Sequence, residues 1–285
     1  MVVVTRDRRS DLEATLARLA ADQPAAPVVV VDNASGDGTA AAARRRDGVS
    51  VVALPANLGA GGRTIGARLA RTPWIAFCDD DSWWAPGSLE RAAALLSADP
   101  GLGLVAARVV VEPAGVTDPL SGRMAAGALD PDLRARSEGP RGVTGFLACA
   151  VVVRRTAFLA VGGFDPRFVV GGEEELVAID LAGQGWRLRY APEVVAHHAP
   201  SPRRDPPARR RRQAANHVIT GILRAPPAEL GRRAGALVAS AGRDAAARGA
   251  LGDVLVAASW ALARRRRVPP AVEVAFFGVG RPATG

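Results

Sequence analysis

Three consecutive carboxylates, Asp79, Asp80 and Asp81, follow a short apolar run, Trp74-Ile75-Ala76-Phe77-Cys78. Such a run, bounded by a turn signal, reads as a buried strand, and open α/β sheets bind ligands just beyond the carboxyl ends of their strands. Three aspartates there repel one another. They form either a solvated acidic turn or a seat for a hard cation such as Mg²⁺ or Mn²⁺, which oxygen ligands suit. Asp32 and Ser35 close an earlier valine run in the same way, as an Asx turn or as an acceptor for a base or ribose. Glu173-Glu174-Glu175 follows Gly171-Gly172 and opens a helix. The helix dipole alone favours acids there, and one of them is equally placed to act as general base toward a hydroxyl. His197-His198 ends a strand, as an exposed strand end or as an imidazole ligand beside carboxylates.

These groups need a scaffold that brings strand ends to one edge. Residues 2–5, 27–31, 49–54 and 74–79 read as strands, each followed by a helical segment. That alternation predicts a parallel sheet with crossover helices. Ser10-Asp11-Leu12-Glu13 has the form of a capping box. Residues 86–98 read as another helix, 102–111 as a strand, and 112–141 as a long loop of the kind that is often functional. Apolar strand character returns at 143–154, then at 186–190 and 193–198, with a helix over 173–184 between them. Asn57-Leu58-Gly59-Ala60-Gly61-Gly62-Arg63 resembles a phosphate-cradling loop without the P-loop lysine. Its glycines serve equally for close helix–sheet packing, and Arg63 and Arg68 could neutralise a diphosphate.

The 285 residues suffice for one large α/β domain with a helical appendage, and the division expected is a catalytic domain over 1–200 and a basic, helical extension over 201–285. The net charge is +9, every basic residue is arginine, and much of the charge lies in residues 203–212 and 264–267. Those clusters read as solvated segments or as peripheral contacts with an anionic membrane surface. The two cysteines, Cys78 and Cys149, have no metal-ligand spacing and fit a reduced cytoplasmic setting. The opening apolar run is broken by Arg6, unlike a signal peptide. Residues 254–263 reach half of the ~20 residues that a bilayer crossing needs. The expected location is cytoplasmic, or peripheral at the inner membrane face.

Taken in order, Val3-Val4-Thr5-Arg6-Asp7-Arg8, Asp32-Asn33-Ala34-Ser35-Gly36-Asp37-Gly38, Asn57-Leu58-Gly59, Asp79-Asp80-Asp81, Gly163-Phe164-Asp165, Gly172-Glu173-Glu174 and His197 resemble the successive motifs of family 2 glycosyltransferases over residues 2–198. The resemblance implies a GT-A fold: a Rossmann-like, mostly parallel sheet flanked by helices. It also implies a UDP-, GDP- or dTDP-sugar donor, a divalent metal (Mg²⁺ or Mn²⁺), a hydroxyl acceptor and inversion at the anomeric carbon. Asp32 matches the nucleoside-binding aspartate. Thr5, Arg8, Ser35, Asn57, Arg63, Asp79 and Asp80 fall around the nucleotide sugar. Asp79 and Asp81 match the D-x-D motif, with Asp81 the direct metal ligand. Glu174 matches the base. His197 falls at the late histidine that contacts metal or diphosphate, with His198 a one-residue alternative. Trp83, Trp84, Glu173 and His198 are candidate sugar or acceptor contacts. Three departures stand out: Arg6-Asp7-Arg8 in place of Tyr-Asn-Arg, Glu174 in place of aspartate, and Asp180 where many members carry arginine.

Two alternatives stand beside this reading. A sugar-phosphate nucleotidyltransferase would show a glycine-rich basic signature after the first strand, where Thr5-Arg6-Asp7-Arg8 stands. A nucleic-acid-binding module would interleave aromatic and basic residues, and this chain does not. No nucleic-acid partner is expected.

Overall fold

A computed structural model describes residues 1–125, 143–200 and 206–278 of the chain. Strand β1 (Val2–Thr5) pairs in parallel with β2 (Val28–Asp32) on one side and β4 (Trp74–Asp79) on the other, and β2 pairs in parallel with β3 (Val49–Ala53). Helices α1 (Arg9–Asp22), α2 (Thr39–Arg44) and α3 (Gly61–Leu69) make the crossovers. Val2, Val3, Val30 and Val31 have no exposed surface, which is why these strands read as unbroken valine rather than as alternation. The register sets Thr5 opposite Asp32 and Val4 opposite Asp79, so the carboxyl ends of β1, β2 and β4 are level.

The other half of the sheet is mixed. Strand β8 (Val151–Arg154) lies antiparallel between β4 and β6 (Leu102–Val111), β9 (Arg187–His198) runs parallel to β6, and β5 (Ser82–Trp84) closes the order β3-β2-β1-β4-β8-β6-β9-β5. Residues 186–198, read as two strands, form one, because the register slips from Ala107–Ala191 to Arg108–Val195. Pro192 sits in that bulge, where a missing N–H does no harm. Only the end of the 143–154 run pairs as a strand. Residues 143–150 are an apolar loop, which periodicity does not separate from a buried strand.

Both faces are covered. On one, Phe77, Phe158 and Phe164 meet at centroid distances of 5.1–5.6 Å, beneath α3, α6 (Arg155–Ala160) and α7 (Glu173–Gly183). On the other, Leu12, Leu16 and Leu19 of α1 pack with Trp84 and with Leu96 of α4 (Ser88–Ala98). Fully burying each such side chain contributes about 1.5–3 kcal/mol. The capping box at Ser10 does not form, because α1 already begins at Arg9. Its first N–H goes instead to the Asp37 carboxylate at 3.2 Å. Within the expected long loop, β7 (Val116–Thr117) pairs with β6 and α5 (Pro119–Ala125) packs Met124 into the core. Residues 126–142 lie outside the described residues.

Helices α8 (Pro206–Arg224), α9 (Pro227–Ala241), α10 (Ala245–Ala263) and α11 (Pro270–Phe277) form the C-terminal layer. Ala215, Ile219, Leu237 and Ala257 share a core with Phe168 and Leu176 of the preceding region. Helix α10 runs further than the sequence suggests. Its 19 residues make it the one described helix long and apolar enough to cross a bilayer, although Ala247, Ala250, Ala257 and Ala261 are buried against its neighbours.

Candidate active site

The acidic turn is pinned from three sides. Ser82 Oγ accepts from the Asp79 N–H at 2.7 Å, Thr15 Oγ1 donates to the Asp80 carbonyl at 2.8 Å, and Arg8 Nη1 stands 3.1 Å from both Asp80 Oδ1 and Asp81 Oδ2. Arg63, buried in the first turn of α3, pairs with Asp79. Burial is the largest influence on Asp80 and lifts its carboxyl to about 7, against the pull of Arg8. Burial also opposes the Arg63 charge. The combined field of Asp79, Glu173 and Glu174 outweighs it and raises the guanidinium above its ordinary value. Arg63 therefore pairs with the end of β4 while lying in the field of the acids that open α7.

Successive residues of a strand face opposite ways, and this separates the two histidines. β9 sets His198 opposite Ser82 and His197 opposite Trp83. His198 Nε2 lies 3.3 Å from Asp81 Oδ1. His197 faces away, with Nδ1 2.8 Å from Glu112 Oε1 and its ring stacked on Trp83 at 5.4 Å. Of the two, it is His198, the one-residue alternative, and not His197 that shares the acidic strand end. The sugar contacts expected of the tryptophans also fail. The Arg18 guanidinium lies 3.9 Å from the Trp83 ring centroid, and Trp84 is wholly buried with its Nε1–H on Cys78 Sγ at 3.1 Å.

Ligand atoms of Asp79, Cys149 and His198 lie within 4.8 Å of one another. Burial drives the Cys149 thiol well above its ordinary value, so it stays neutral and is a poor ligand for a hard cation. The carboxylates of Asp79 and Asp81 with the His198 imidazole are a donor set that fits Mn²⁺ or Mg²⁺.

The glycine loop is a clamp. Asn33 holds it with Nδ2 on the Gly59 carbonyl and Oδ1 on the Leu58 N–H, both at 3.1 Å, and Asn57 Oδ1 accepts from Gly59 N–H at 2.8 Å. Gly59 has φ +53°, and a Cβ there would sit 2.1 Å from the Val169 carbonyl oxygen. Val169 itself has φ +57° and accepts the Ala60 N–H at 2.7 Å. A β-branched residue in that region is strained and is held by its surroundings. The N–H groups of residues 59–63 all donate within the protein, so packing, rather than a backbone phosphate cradle, accounts for the glycines. Arg68 is exposed at the far end of α3, away from the strand ends.

The three glutamates part company. Glu173 is buried, with Oε2 lacking a hydrogen-bond partner among the described residues. Burial first, and the Glu174 charge second, raise it to about 8. Glu174 is half-buried at the opening. Glu175 turns away to Arg233 at 2.7 Å and His217 at 3.4 Å. A cleft of about 340 Å³ results, and Thr5, Arg8, Asn57 and Arg63 line it. Asp79, Asp80, Glu173, Glu174 and His198 line it as well, with Arg6 and Asn33. Asp32 and Ser35 bond each other at the carboxyl end of β2 and do not line this cleft. Leu147, Cys149, Val169 and Arg209 line it without having been singled out. The first three belong to apolar runs, and Arg209 to a charge cluster that reads as solvated.

The family model for glycosyl transferase family 2 matches residues 1–162. The chain is a family 2 glycosyltransferase. This glycosyltransferase is 32% identical over 258 residues to the N-acetylglucosaminyl-diphospho-decaprenol L-rhamnosyltransferase of Mycobacterium tuberculosis, covering 78% of this chain and 82% of the relative. Among solved structures it is similar to the mannosyltransferase PcManGT of Pyrobaculum calidifontis in complex with GDP-Man and Mn²⁺. That match has a TM-score of 0.60 and 24% identity, over 96% of this chain and 84% of the other. S. aureus TarS in complex with UDP-GlcNAc matches with a TM-score of 0.57 at 17% identity, over 81% and 68%. The fold is GT-A, and family membership sets aside the nucleotidyltransferase and nucleic-acid readings.

Proposed function

We propose that this enzyme is an inverting, divalent-metal-dependent glycosyltransferase moving a sugar from a nucleotide diphosphate to a hydroxyl of a lipid-linked saccharide. The observation that carries the reading is that Asp79 and Glu174 line one cleft together with the buried Arg63, whose guanidinium feels the charge of both. Thr5, Asn57 and, opposite Thr5 in the sheet, Asp32 with Ser35 belong to the nucleoside end. Arg8 and Arg63 offer charge-assisted bonds to the donor diphosphate, whose arrival would relieve their present pairing with the aspartates. Asp79, Asp81 and His198 would hold the cation, which supplies positive charge against the departing nucleotide.

Glu174 then accepts the proton of the acceptor hydroxyl as its oxygen attacks from the face opposite the leaving group. Glu173, lifted to about 8 by burial and by the Glu174 charge beside it, favours its protonated form at neutral pH. The relative's name supplies the substrate class: L-rhamnosyl transfer to an N-acetylglucosaminyl-diphospho-decaprenol. By analogy the acceptor here is a sugar on a polyprenyl diphosphate, met at the inner face of the membrane. A thermal-shift panel of UDP-, GDP- and dTDP-sugars with and without Mn²⁺ tests the donor half, because selective binding stabilises the folded state. Absence of any metal-linked shift across the panel would remove the donor assignment.

A further inference from the structure

A second opening lies next to the cleft, on the other side of a shared wall. It is a groove of about 540 Å³ between α8, α10 and the turn that carries Phe168, within the ~300–1,000 Å³ that ligand sites span. Phe168, Ile219, Ala257 and Trp260 give it an apolar floor, and Val256, 82% exposed, stands at its lip. The wall is one short stretch of chain: Phe168 lines the groove while Val169 and Val170 line the cleft. Helix α8 repeats the pattern, with Arg209 on the cleft and Arg212, one turn later, on the groove.

The charges at this junction are not equivalent. Arg211 is taken by Asp253 at 2.7 and 2.5 Å, and Arg167 is paired with Asp165 and lies 4.0 Å from the Trp260 ring centroid. Arg209 and Arg212 have no ion pair among the described residues. Two available guanidiniums therefore stand where a polar cleft meets an apolar groove. Beyond the lip the apolar surface continues along the outer face of α10 as Leu255 and Leu262, 76% and 58% exposed. Contiguous exposed apolar surface of this kind marks an interaction site.

We infer that this groove holds the isoprenyl diphosphate end of the acceptor, with Arg209 and Arg212 on the diphosphate and the chain laid over Phe168, Ile219 and Trp260. The inference rests on the lipid-linked acceptor proposed above. It adds a site within the C-terminal layer, outside the residues that resemble the family's motifs. A diphosphate at the junction leaves the attached sugar facing Glu174 in the cleft, and the tail emerges beside the apolar face of α10. Charge complementarity favours this ligand over a neutral peptide or a bare lipid tail, neither of which uses the arginines.

The test is calorimetric titration of the full chain with farnesyl diphosphate, farnesol and pyrophosphate, for wild type, Val256→Asp and Arg212→Ala. Donor binding with Mn²⁺ is measured on the same samples. Val256 is exposed, so its substitution leaves the fold intact, and unchanged donor binding verifies that. Farnesyl diphosphate should bind more tightly than either fragment, and each variant should weaken it by about tenfold or more. Equal affinity for pyrophosphate, or no change in Val256→Asp, would overturn the inference by assigning the diphosphate to the donor cleft. It would also be overturned if Val256→Asp reduced binding to phosphatidylglycerol vesicles lacking prenyl lipid and left farnesyl diphosphate unaffected, since the face would then be a bilayer contact. Donor binding without prenyl binding defeats the groove alone. Prenyl binding that both variants weaken supports the groove even if no donor binds, and the transferase reading then fails by itself.

Discussion

Asp180 of α7 and Arg224 of α8 meet in a buried two-point ion pair, Nε to Oδ1 at 2.5 Å and Nη2 to Oδ2 at 2.8 Å. Arg266 adds a third contact to Asp180 at 3.2 Å. The pair accounts for an acid at 180 where many family members carry arginine: in this chain the arginine comes from the C-terminal layer. Position 180 therefore joins the helix that carries Glu174 in its first turn to the layer that carries Arg209 and Arg212.

Removing one partner leaves an uncompensated buried charge. Asp180→Ala should destabilise the protein by about 3–5 kcal/mol in urea unfolding. Asp180→Leu combined with Arg224→Met should recover most of that loss, because a buried pair is often replaceable by apolar residues. Equal destabilisation in the double variant would mean that the pair itself, rather than its stranded charge, carries the stability.

The buried Glu173 predicts a pH dependence. Its folded value, about 8, lies above the ordinary 4.5, so between those values the folded state keeps a proton that the unfolded state has released. Stability from this group is complete below 4.5, falls as pH rises, and is lost above about 8. Glu173→Gln should flatten that slope and be the more stable protein at high pH. Denaturation midpoints followed from pH about 5 to about 9 would show it. Parallel curves for the two proteins would contradict the protonated Glu173.

The two histidines give opposite expectations. His198→Ala should lower the Mn²⁺ affinity of the donor complex by about tenfold or more. His197→Ala should leave it unchanged and at most loosen the contacts with Glu112 and Trp83. Mn²⁺ titrations of nucleotide-sugar binding separate them, and a larger effect at His197 would reverse the assignment.

That distinction also marks where the sequence stops being legible. The valine runs and their turn formers define β1 to β4, and the strand-end rule then brings Asp32 and Asp79 to one edge without any knowledge of pairing. His197 and His198 differ only in which face of β9 they occupy. That depends on the register with β5, a three-residue strand whose pairing is non-local. Trp84 fails for the same reason: alternation along Ser82–Trp84 points it into the core. The antiparallel insertion of β8, the cleft wall at Leu147–Cys149 and Val169, and the reach of Arg209 from a different layer are tertiary facts with no local pattern. Asp180 is informative only once Arg224 is known to face it.

At the nucleoside end, Asp32→Ala should weaken free nucleotide and nucleotide sugar alike, by about 1–3 kcal/mol where ligand donors go unpaired. Asp32 now accepts the Ser35 hydroxyl and, at 3.4 Å, the Ser35 N–H. Calorimetry on the free nucleotide would therefore reassign Asp32 to the turn if its affinity did not change.

The most direct test of the account is the turnover of Glu174→Gln with a donor that binds in the presence of Mn²⁺ and a prenyl-diphosphate-linked sugar acceptor. Glutamine keeps the size and most of the hydrogen bonding but takes no proton. The rate should fall by about 10²–10⁴-fold, donor affinity should stay at the wild-type value, and Glu175→Gln, whose carboxylate is committed to Arg233 and His217, should turn over normally. Near-native turnover by Glu174→Gln would contradict the assignment and leave the glutamates at the start of α7 a structural feature.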